Sequence, residues 1–196
     1  MSKPLPDASL DQLFRAARTY NGYTDQHVTE TELRAIYELT KMGPTSANGQ
    51  PLRIVWCVSD EAKAKLAALS MDANKPKILK APVTAIIGMD MAFYERLPEY
   101  FPHADMRPYF ANNPALAEAT AFRNSSLQGA YFIMAARALG LDTGPMSGFD
   151  NAAVDDAFFK GTTVKSNFIS TLGHGDPTTI FPRSPRPAFE DANSIL

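Results

Sequence analysis

Residues 41–51, Lys-Met-Gly-Pro-Thr-Ser-Ala-Asn-Gly-Gln-Pro, join an amphipathic helical pattern to a run of apolar residues. Gly43 tolerates the left-handed conformation in which many helices end, and Pro44 cannot continue a helix. Four short polar side chains then lie between two prolines that limit the freedom of the backbone. The pattern predicts a stiff polar loop between a helix and a strand. Such a loop is either an ordinary connection or a surface suited to the edge of a heteroaromatic ring.

Hydrophobic periodicity places this loop in a chain that mixes helices and strands. Apolar residues recur at helical spacing behind the N-cap candidates Ser9 and Thr29, and Thr29 forms a capping-box pattern with Glu32. The longest helical pattern carries small and polar residues at its centre, which indicates a central helix that other backbone approaches closely. The predicted helices are 9–18, 29–43, 60–70, 115–139 and 154–159, and the predicted strands are 52–58, 83–89 and 164–172.

The order of these elements is an α+β pattern rather than regular βαβ alternation. No G-x-G-x-x-G follows the first predicted strand, and neither a Walker loop nor a G-x-S-x-G elbow occurs. Residues 98–114 contain four prolines and several aromatic side chains, without the periodicity of a helix or a strand. They predict a long loop that is ordered and forms a wall or a lid. The proline-rich tail, 177–196, has no core pattern of its own, so it must pack on something else, and a partner subunit is one candidate.

Length and composition set further expectations. A chain of 196 residues that is 45% hydrophobic and 20% charged predicts one domain, 1–196, with its own core. The net charge of −2 lacks the excess of positive charge that is typical of nucleic-acid-binding domains. No apolar run approaches the roughly 18–20 residues of a membrane span, and the N-terminus lacks the apolar core of a secretory signal. We therefore expect a cytoplasmic protein without a nucleic-acid or membrane partner.

Cysteine and histidine usage argues against a metal site. Cys57 is the single cysteine, which excludes an intrachain disulfide and a thiolate cluster. Its apolar neighbours predict a buried structural thiol rather than a nucleophile. The three histidines, His27, His103 and His174, are far apart and lack the spacing of metal ligands. We expect no metal.

The order of residues in the polar loop resembles the P-S/T-S-x-N-x-Q-P signature of the FMN-dependent nitroreductase family, and the resemblance extends from about Arg18 to Arg186. It implies a nitroreductase-like fold, with a central mixed but mostly antiparallel sheet surrounded by helices. It also implies FMN as cofactor, NADPH or NADH as reductant, and ping-pong hydride transfer through flavin N5. Family members are homodimers with FMN at the interface, so the C-terminal tail is expected to extend onto the partner subunit.

The phosphate site implied by the resemblance lies near the N-terminus. Residues 18–23, Arg-Thr-Tyr-Asn-Gly-Tyr, resemble the family's R-S-x-R-x-F motif and suggest Arg18, Thr19 and Asn21 as contacts. Asn21 stands where many members carry a second basic residue, which leaves the phosphate one charge short. Arg183 or Arg186, in a segment that resembles the family's basic C-terminal stretch, could supply that charge. Each arginine also has an ordinary interpretation, as a helix-terminal or a solvated charge.

Further cofactor contacts are implied in three segments. They are Pro44, Thr45, Ser46 and Asn48 in the polar loop, Asn74 and Lys77 before the second strand, and Ser147 and Gly148 near flavin N5. The last two lie in 140–150, where three glycines and a proline predict a tight turn before a helix. The glycines alone would equally fit a helix-to-helix connection.

Three stretches, 93–103, 120–126 and 141–159, resemble the malonic semialdehyde reductase branch of the family. That branch reduces 3-oxopropanoate to 3-hydroxypropanoate in uracil degradation. Such a substrate needs a cation for its carboxylate and a proton donor for its developing alkoxide, and His103, Arg107 and Tyr109 are the candidate contacts. No protein residue is expected to be catalytic, because the flavin carries the hydride. The alternatives are a broad-specificity nitroreductase or quinone reductase, and a flavin-binding protein without turnover.

Overall fold

The computed structural model describes residues 3–196, which form the expected α+β fold around a four-stranded sheet. The strands are β1 (Leu52–Cys57), β2 (Val83–Asp90), β3 (Asp142–Met146) and β4 (Val164–Gly173). Their spatial order is β1-β2-β4-β3, and every neighbouring pair is antiparallel. A single parallel bridge joins Thr19 to Thr143 at the β3 edge.

Nine α-helices surround the sheet in the described part of the chain. They are α1 (Asp7–Leu10), α2 (Glu30–Thr40), α3 (Asp60–Ala68), α4 (Lys75–Lys80), α5 (Leu97–Tyr100), α6 (Arg107–Ala111), α7 (Pro114–Ala138), α8 (Asn151–Phe158) and α9 (Phe189–Ala192). A π-helical turn, Asp11–Arg15, continues α1, and 3₁₀ turns occupy Ser46–Asn48, Phe93–Arg96 and Pro177–Thr179. No described helix is long and apolar enough to cross a membrane.

The central strand β2 is buried on both faces, and this explains its apolar sequence. Successive side chains of a strand point to opposite faces. Ala85 and Ile87 therefore join the core under α2 and α7, whereas Ile86 joins the core under α3, α4 and α8. Cys57 is fully buried in the second of these cores, as predicted, and burial raises the pKa of its thiol to about 11.

The long helix α7 lies across the sheet as the predicted central helix. A side chain at Gly129 would meet the ring of Phe168 at 2.5 Å, so the small residue permits the close approach. The outer face of α7 exposes Phe122 and Leu127, which line one cavity. Exposed apolar side chains grouped on one helix face are typical of an interaction surface.

Helix α2 begins with the predicted capping box, but it ends at Thr40, before the predicted end at Gly43. The Thr29 hydroxyl accepts from the Glu32 N–H at 3.3 Å, and the Glu32 carboxylate accepts from the Thr29 N–H at 2.7 Å. Gly43 is not among the described residues with positive φ. A side chain there would instead meet the ring of Tyr131 at 2.8 Å, so Gly43 is needed for its size.

Two predictions from glycine and proline were wrong. Residues 140–150 are not simply the tight turn that we predicted before a helix, because Asp142–Met146 pairs with β4 as an edge strand. An edge strand tolerates Pro145, and Gly144 lets the Tyr20 carbonyl oxygen come within 2.7 Å of where a Cβ would be. Residues 98–114 contain regular structure, because the prolines of α5 and α6 lie in the first turn, where a helix accepts them.

Two helix predictions also need correction. The first helical segment ends at Arg15, before the predicted end at position 18. Helix α4, Lys75–Lys80, was not predicted, although Pro76 again lies in its first turn.

The tail of the chain is exposed from Phe181 to Leu196. Three large apolar side chains in it, Phe181, Phe189 and Ile195, are 73%, 57% and 87% exposed. The tail thus has no core of its own, as the sequence predicted.

Candidate cofactor site

A groove of about 520 Å³ lies where the two ends of the chain meet. It brings together five residues that the sequence predicted as phosphate contacts, although up to 168 positions separate them. Its lining is Phe14, Arg15, Ala17, Arg18, Thr19, Asn21, Arg137, Phe181, Pro182, Arg183, Ser184 and Arg186. We call this cavity the arginine groove.

The charge of the arginine groove is largely uncompensated. Of its five arginines, Arg15 pairs with Asp7 at 2.8 Å and with Asp11 at 2.6 Å. In the part of the chain that the structure describes, the other four have no carboxylate within 4.0 Å. A cavity lined by unpaired guanidinium groups attracts anions, and a guanidinium matches the geometry of phosphate.

Backbone carbonyl groups hold these arginines in place. Arg183 donates to the carbonyl oxygens of Arg15 and Ala17 at 2.8 and 2.9 Å, which satisfies acceptors at the end of the first helical segment. Arg18 donates to the carbonyl of Phe181. Arg186 donates only within its own segment, so Arg183 is the tail arginine that joins the two ends of the chain.

Asn21 lines the groove but uses its amide elsewhere. Its Nδ2 donates to the Thr179 carbonyl oxygen at 3.1 Å, and the Thr179 hydroxyl accepts from the Gly22 N–H at 3.0 Å. The residue that replaces a basic side chain therefore fastens the start of the tail.

Arg137 is a groove residue that sequence reasoning missed. It lies in the last turn of α7, and its Nη1 donates to the Leu13 carbonyl oxygen at 3.0 Å. Burial lowers the pKa of Arg137, an effect that Asp142 opposes and Arg183 adds to. Basic residues are common at helix ends, so its position in the sequence gave no specific signal.

The polar loop, 44–51, has an unusual backbone. Ala47, Asn48 and Gln50 have φ values of 49°, 48° and 44°. Positive φ is uncommon for residues other than glycine and costs about 1–3 kcal/mol at each position. Three such residues within four positions show that the surroundings, rather than local preference, determine the shape of this loop.

Hydrogen bonds from neighbouring elements impose that shape. The Ser46 N–H donates to Asn124 Oδ1 at 2.8 Å, the Gln50 N–H donates to Thr45 Oγ1 at 3.2 Å, and Asn48 Nδ2 donates to the Tyr100 carbonyl oxygen at 2.9 Å. Thr45 and Asn48 thus support the loop itself. Pro44 and Ser46 are exposed on its surface.

The third predicted segment is held against the start of α4. Asn74 Nδ2 and the Met71 N–H both donate to the Gly148 carbonyl oxygen at 3.0 Å, so two predicted contacts, Asn74 and Gly148, adjoin each other. Lys77 lies one turn further along α4. Ser147 is exposed beside a cavity of about 330 Å³ between α7 and the sheet, whose lining includes Ser126, Met146 and Phe168.

The predicted substrate contacts lie on the 97–111 segment. Arg107 forms a bidentate ion pair with Glu95, both bonds at 2.8 Å. His103 and Tyr109 are exposed, and His103 packs edge-on against Phe101 with ring centroids 5.3 Å apart. None of the three lines the two cavities described above.

Comparison with known proteins shows which family the chain resembles. Residues 1–162 match the model of the nitroreductase family. A Burkholderia lata protein provisionally named NADH dehydrogenase/NAD(P)H nitroreductase is 60% identical over 191 residues, which cover 97% of this chain and 98% of the relative.

Two solved structures share the fold at 20% sequence identity. A provisionally assigned nitroreductase of Bacillus subtilis superposes with a TM-score of 0.88 over 97% of this chain and 100% of its own. One of Exiguobacterium sibiricum, crystallised with FMN, superposes with a TM-score of 0.84 over 100% of both chains. The match over most of the chain and the 60% identity show that this protein belongs to the nitroreductase family.

Proposed function

We propose that this protein, an NAD(P)H-dependent flavin oxidoreductase with FMN as its cofactor, reduces malonic semialdehyde to 3-hydroxypropanoate in pyrimidine degradation. The observation that carries the cofactor assignment is the arginine groove, in which four guanidinium groups lack an acidic partner among the described residues. The substrate assignment rests on the resemblance of 93–103, 120–126 and 141–159 to the semialdehyde reductase branch.

The residues present fit FMN at both of its ends. The groove supplies cations for the phosphate, from Arg18 and from Arg183. The strained loop offers the exposed Ser46 to the edge of the ring, and its fixed backbone needs no ordering on binding. When bound, FMN takes hydride from NAD(P)H and passes it to the acceptor.

Ser147 and Gly148 complete the proposed site. The two bonds from Asn74 and the Met71 N–H to the Gly148 carbonyl hold this segment in one position. We propose that the segment and Lys77 contact the flavin, so that Asn74 acts by holding Gly148 as well as by touching the cofactor.

For the substrate, we propose that Arg107 binds the carboxylate and that His103 gives a proton to the oxygen that becomes the alcohol. Arg107 would exchange its partner Glu95 for the substrate, since both groups are carboxylates. Tyr109, two residues after Arg107 in the same helix, is 59% exposed and can add a hydroxyl donor.

We further propose a homodimer with the cofactor at the interface. The exposed face of α7 forms an apolar cavity lined by Ala119, Phe122, Arg123, Ser126, Leu127 and Ala130. The tail from Phe181 to Leu196 is exposed and needs a surface to pack on. A second copy would cover both features and bury their apolar side chains.

A second candidate function is that of a broad-specificity nitroreductase or quinone reductase. It is favoured by the provisional name of the Burkholderia lata relative. An exposed flavin accepts many oxidants, so the same site could serve this activity.

The test is to reduce the purified yellow protein anaerobically with NADPH or NADH and then to add an acceptor. Rapid reoxidation by 3-oxopropanoate, faster than by p-benzoquinone or a nitroarene at equal concentration, supports the semialdehyde reductase. Reoxidation only by the quinone or the nitroarene would select the second candidate. A protein that binds FMN but is not bleached by either nucleotide would be a flavin-binding protein without turnover.

A further inference from the structure

Arg137 has an unmet hydrogen-bond donor beside the arginine groove. Its Nη1 is occupied by the Leu13 carbonyl oxygen at 3.0 Å, but its Nε is buried and has no partner among the described residues. No carboxylate of the described chain lies within 4.0 Å of the guanidinium. Leaving a buried donor without an acceptor is costly, and more so when the group is charged.

Asn21 lines the groove without adding charge to it. Its amide donates to the Thr179 carbonyl oxygen. Arg18 and Arg183 reach the groove from the two ends of the chain, each held by backbone carbonyl groups. Arg137 enters the same cavity from α7.

We propose that Arg137 is a third phosphate-binding residue, which supplies from α7 the charge that Asn21 does not. This inference rests on the proposed FMN site. A phosphate dianion in the groove pairs with the guanidinium through Nη2, which donates to no described residue, and this pairing offsets the cost of burying the charge. Asn21 fastens the tail through Thr179, while Arg137 supplies the charge.

The competing explanation is that Arg137 only ties α7 to the first helical segment through Leu13. The two explanations differ in what they predict for riboflavin, which has the same ring and ribityl chain as FMN but no phosphate. A phosphate ligand strengthens the binding of FMN alone. A purely structural residue affects both flavins equally, or neither.

The experiment titrates the flavin-free, full-length protein with FMN and with riboflavin and follows quenching of flavin fluorescence. For Arg137→Gln we expect the FMN dissociation constant to rise about ten- to a hundredfold, as for a charge-assisted hydrogen bond. The constant for riboflavin should change by less than about twofold. Arg137→Lys should fall between, because it keeps the charge but loses the planar guanidinium that matches phosphate. Arg34→Gln, which removes an exposed arginine of α2, is the control for net charge and should match the unsubstituted protein.

Equal losses for both flavins, or no loss for FMN, would overturn the role of Arg137. An unsubstituted protein that binds neither flavin, or binds both equally well, would instead overturn the proposed FMN phosphate site itself.

Should Arg137→Gln not fold, the Nε–H resonance of Arg137 can be followed by NMR in the unsubstituted protein, assigned through its own side-chain carbons. It should shift on addition of FMN and stay in place with riboflavin. A resonance that FMN leaves unmoved would refute the contact.

Discussion

Gln128 Nε2 donates to Gln50 Oε1 at 2.6 Å, across the gap between the long helix and the strained loop. Two further hydrogen bonds extend this connection. Gln50 Nε2 donates to Asn48 Oδ1 at 2.8 Å, and Asn48 Nδ2 donates to the Tyr100 carbonyl oxygen. A chain of hydrogen bonds therefore runs from α7 through the loop to α5. It explains how residues with positive φ are held in place.

Replacing Gln128 should damage both the fold and the loop. Gln128→Leu would leave the Leu52 N–H and Gln50 Oε1 without partners, because Gln128 Oε1 now accepts from the Leu52 N–H at 3.0 Å. We expect a loss of about 1–3 kcal/mol in the free energy of unfolding, measured in urea, together with weaker FMN binding. The exposed Gln26→Leu is the control and should stay within about 0.5 kcal/mol of the unsubstituted protein. Equal stability of the two variants would contradict the role given to this hydrogen-bond chain.

Gly148→Ala should disturb the segment that we place beside the flavin. A methyl group there would lie 2.7 Å from Asn74 Nδ2 and 2.8 Å from Met71 Sδ. Overpacking of this kind costs about 1–3 kcal/mol, and the displaced segment should bind FMN less tightly. Urea unfolding and FMN titration measure the two effects. The neighbouring Ser147→Ala, at an exposed position, should leave the stability unchanged, and a Gly148→Ala variant as stable as Ser147→Ala would refute the expected clash.

The proposed dimer can be tested with two leucines of nearly equal exposure. Leu127 on α7 is 48% exposed and Leu79 on α4 is 49% exposed. Leu127→Glu places a charge in the apolar face of α7 and should shift the protein towards monomer in analytical ultracentrifugation. Leu79→Glu makes the same chemical change outside that face and should leave the dimer intact. A Leu127→Glu variant that remains dimeric would show that the interface lies on another surface.

Cys57 should be inert in the folded protein. With its pKa raised to about 11 by burial, about one thiol in a thousand is ionised at pH 8, and the thiolate is the reactive form. Labelling by iodoacetamide at pH 8 should therefore be negligible in buffer and complete in denaturing urea. Rapid labelling of the folded protein would contradict the burial of this residue.

The proposed substrate contacts of His103 and Arg107 can be tested separately from flavin binding by the choice of electron acceptor. We expect His103→Ala and Arg107→Ala each to lower kcat/KM for 3-oxopropanoate about ten- to a hundredfold, since a proton donor or a charged contact is lost. Turnover of p-benzoquinone, which has no carboxylate, should change little. Arg96→Ala, which removes a similar exposed ion pair with Glu99, serves as the control. If neither His103→Ala nor Arg107→Ala changes kcat/KM for 3-oxopropanoate, other residues bind this substrate.

The features that the sequence predicted correctly are those that local chemistry determines. The capping box of Thr29 and Glu32 needs only four residues, and the apolar run 83–89 is typical of a buried strand. The resemblance implied that Arg18 and either Arg183 or Arg186 share one site, and the structure places all three arginines in the lining of one groove.

The features that were missed depend on distant partners. Gly144 and Pro145 are typical of a turn, and pairing with β4 makes them part of a strand. In the sequence, Arg137 resembles an ordinary helix-terminal arginine. Its place in the groove depends on contacts with residues 14–21 and 181–186, which are far from it in the sequence. The exposure of His103 and its neighbours likewise follows from packing that no short pattern in 98–114 reveals.

The contacts of Arg183 with Arg15 and Ala17, and of Asn21 with Thr179, have a consequence for the order of events during synthesis. One wall of the arginine groove comes from residues 14–21 and another from residues 181–186. A growing chain can complete its sheet through β4 and still lack the second of these walls. Binding of the cofactor phosphate is therefore expected only after residues 181–186 have been synthesised and have folded back onto the first helical segment.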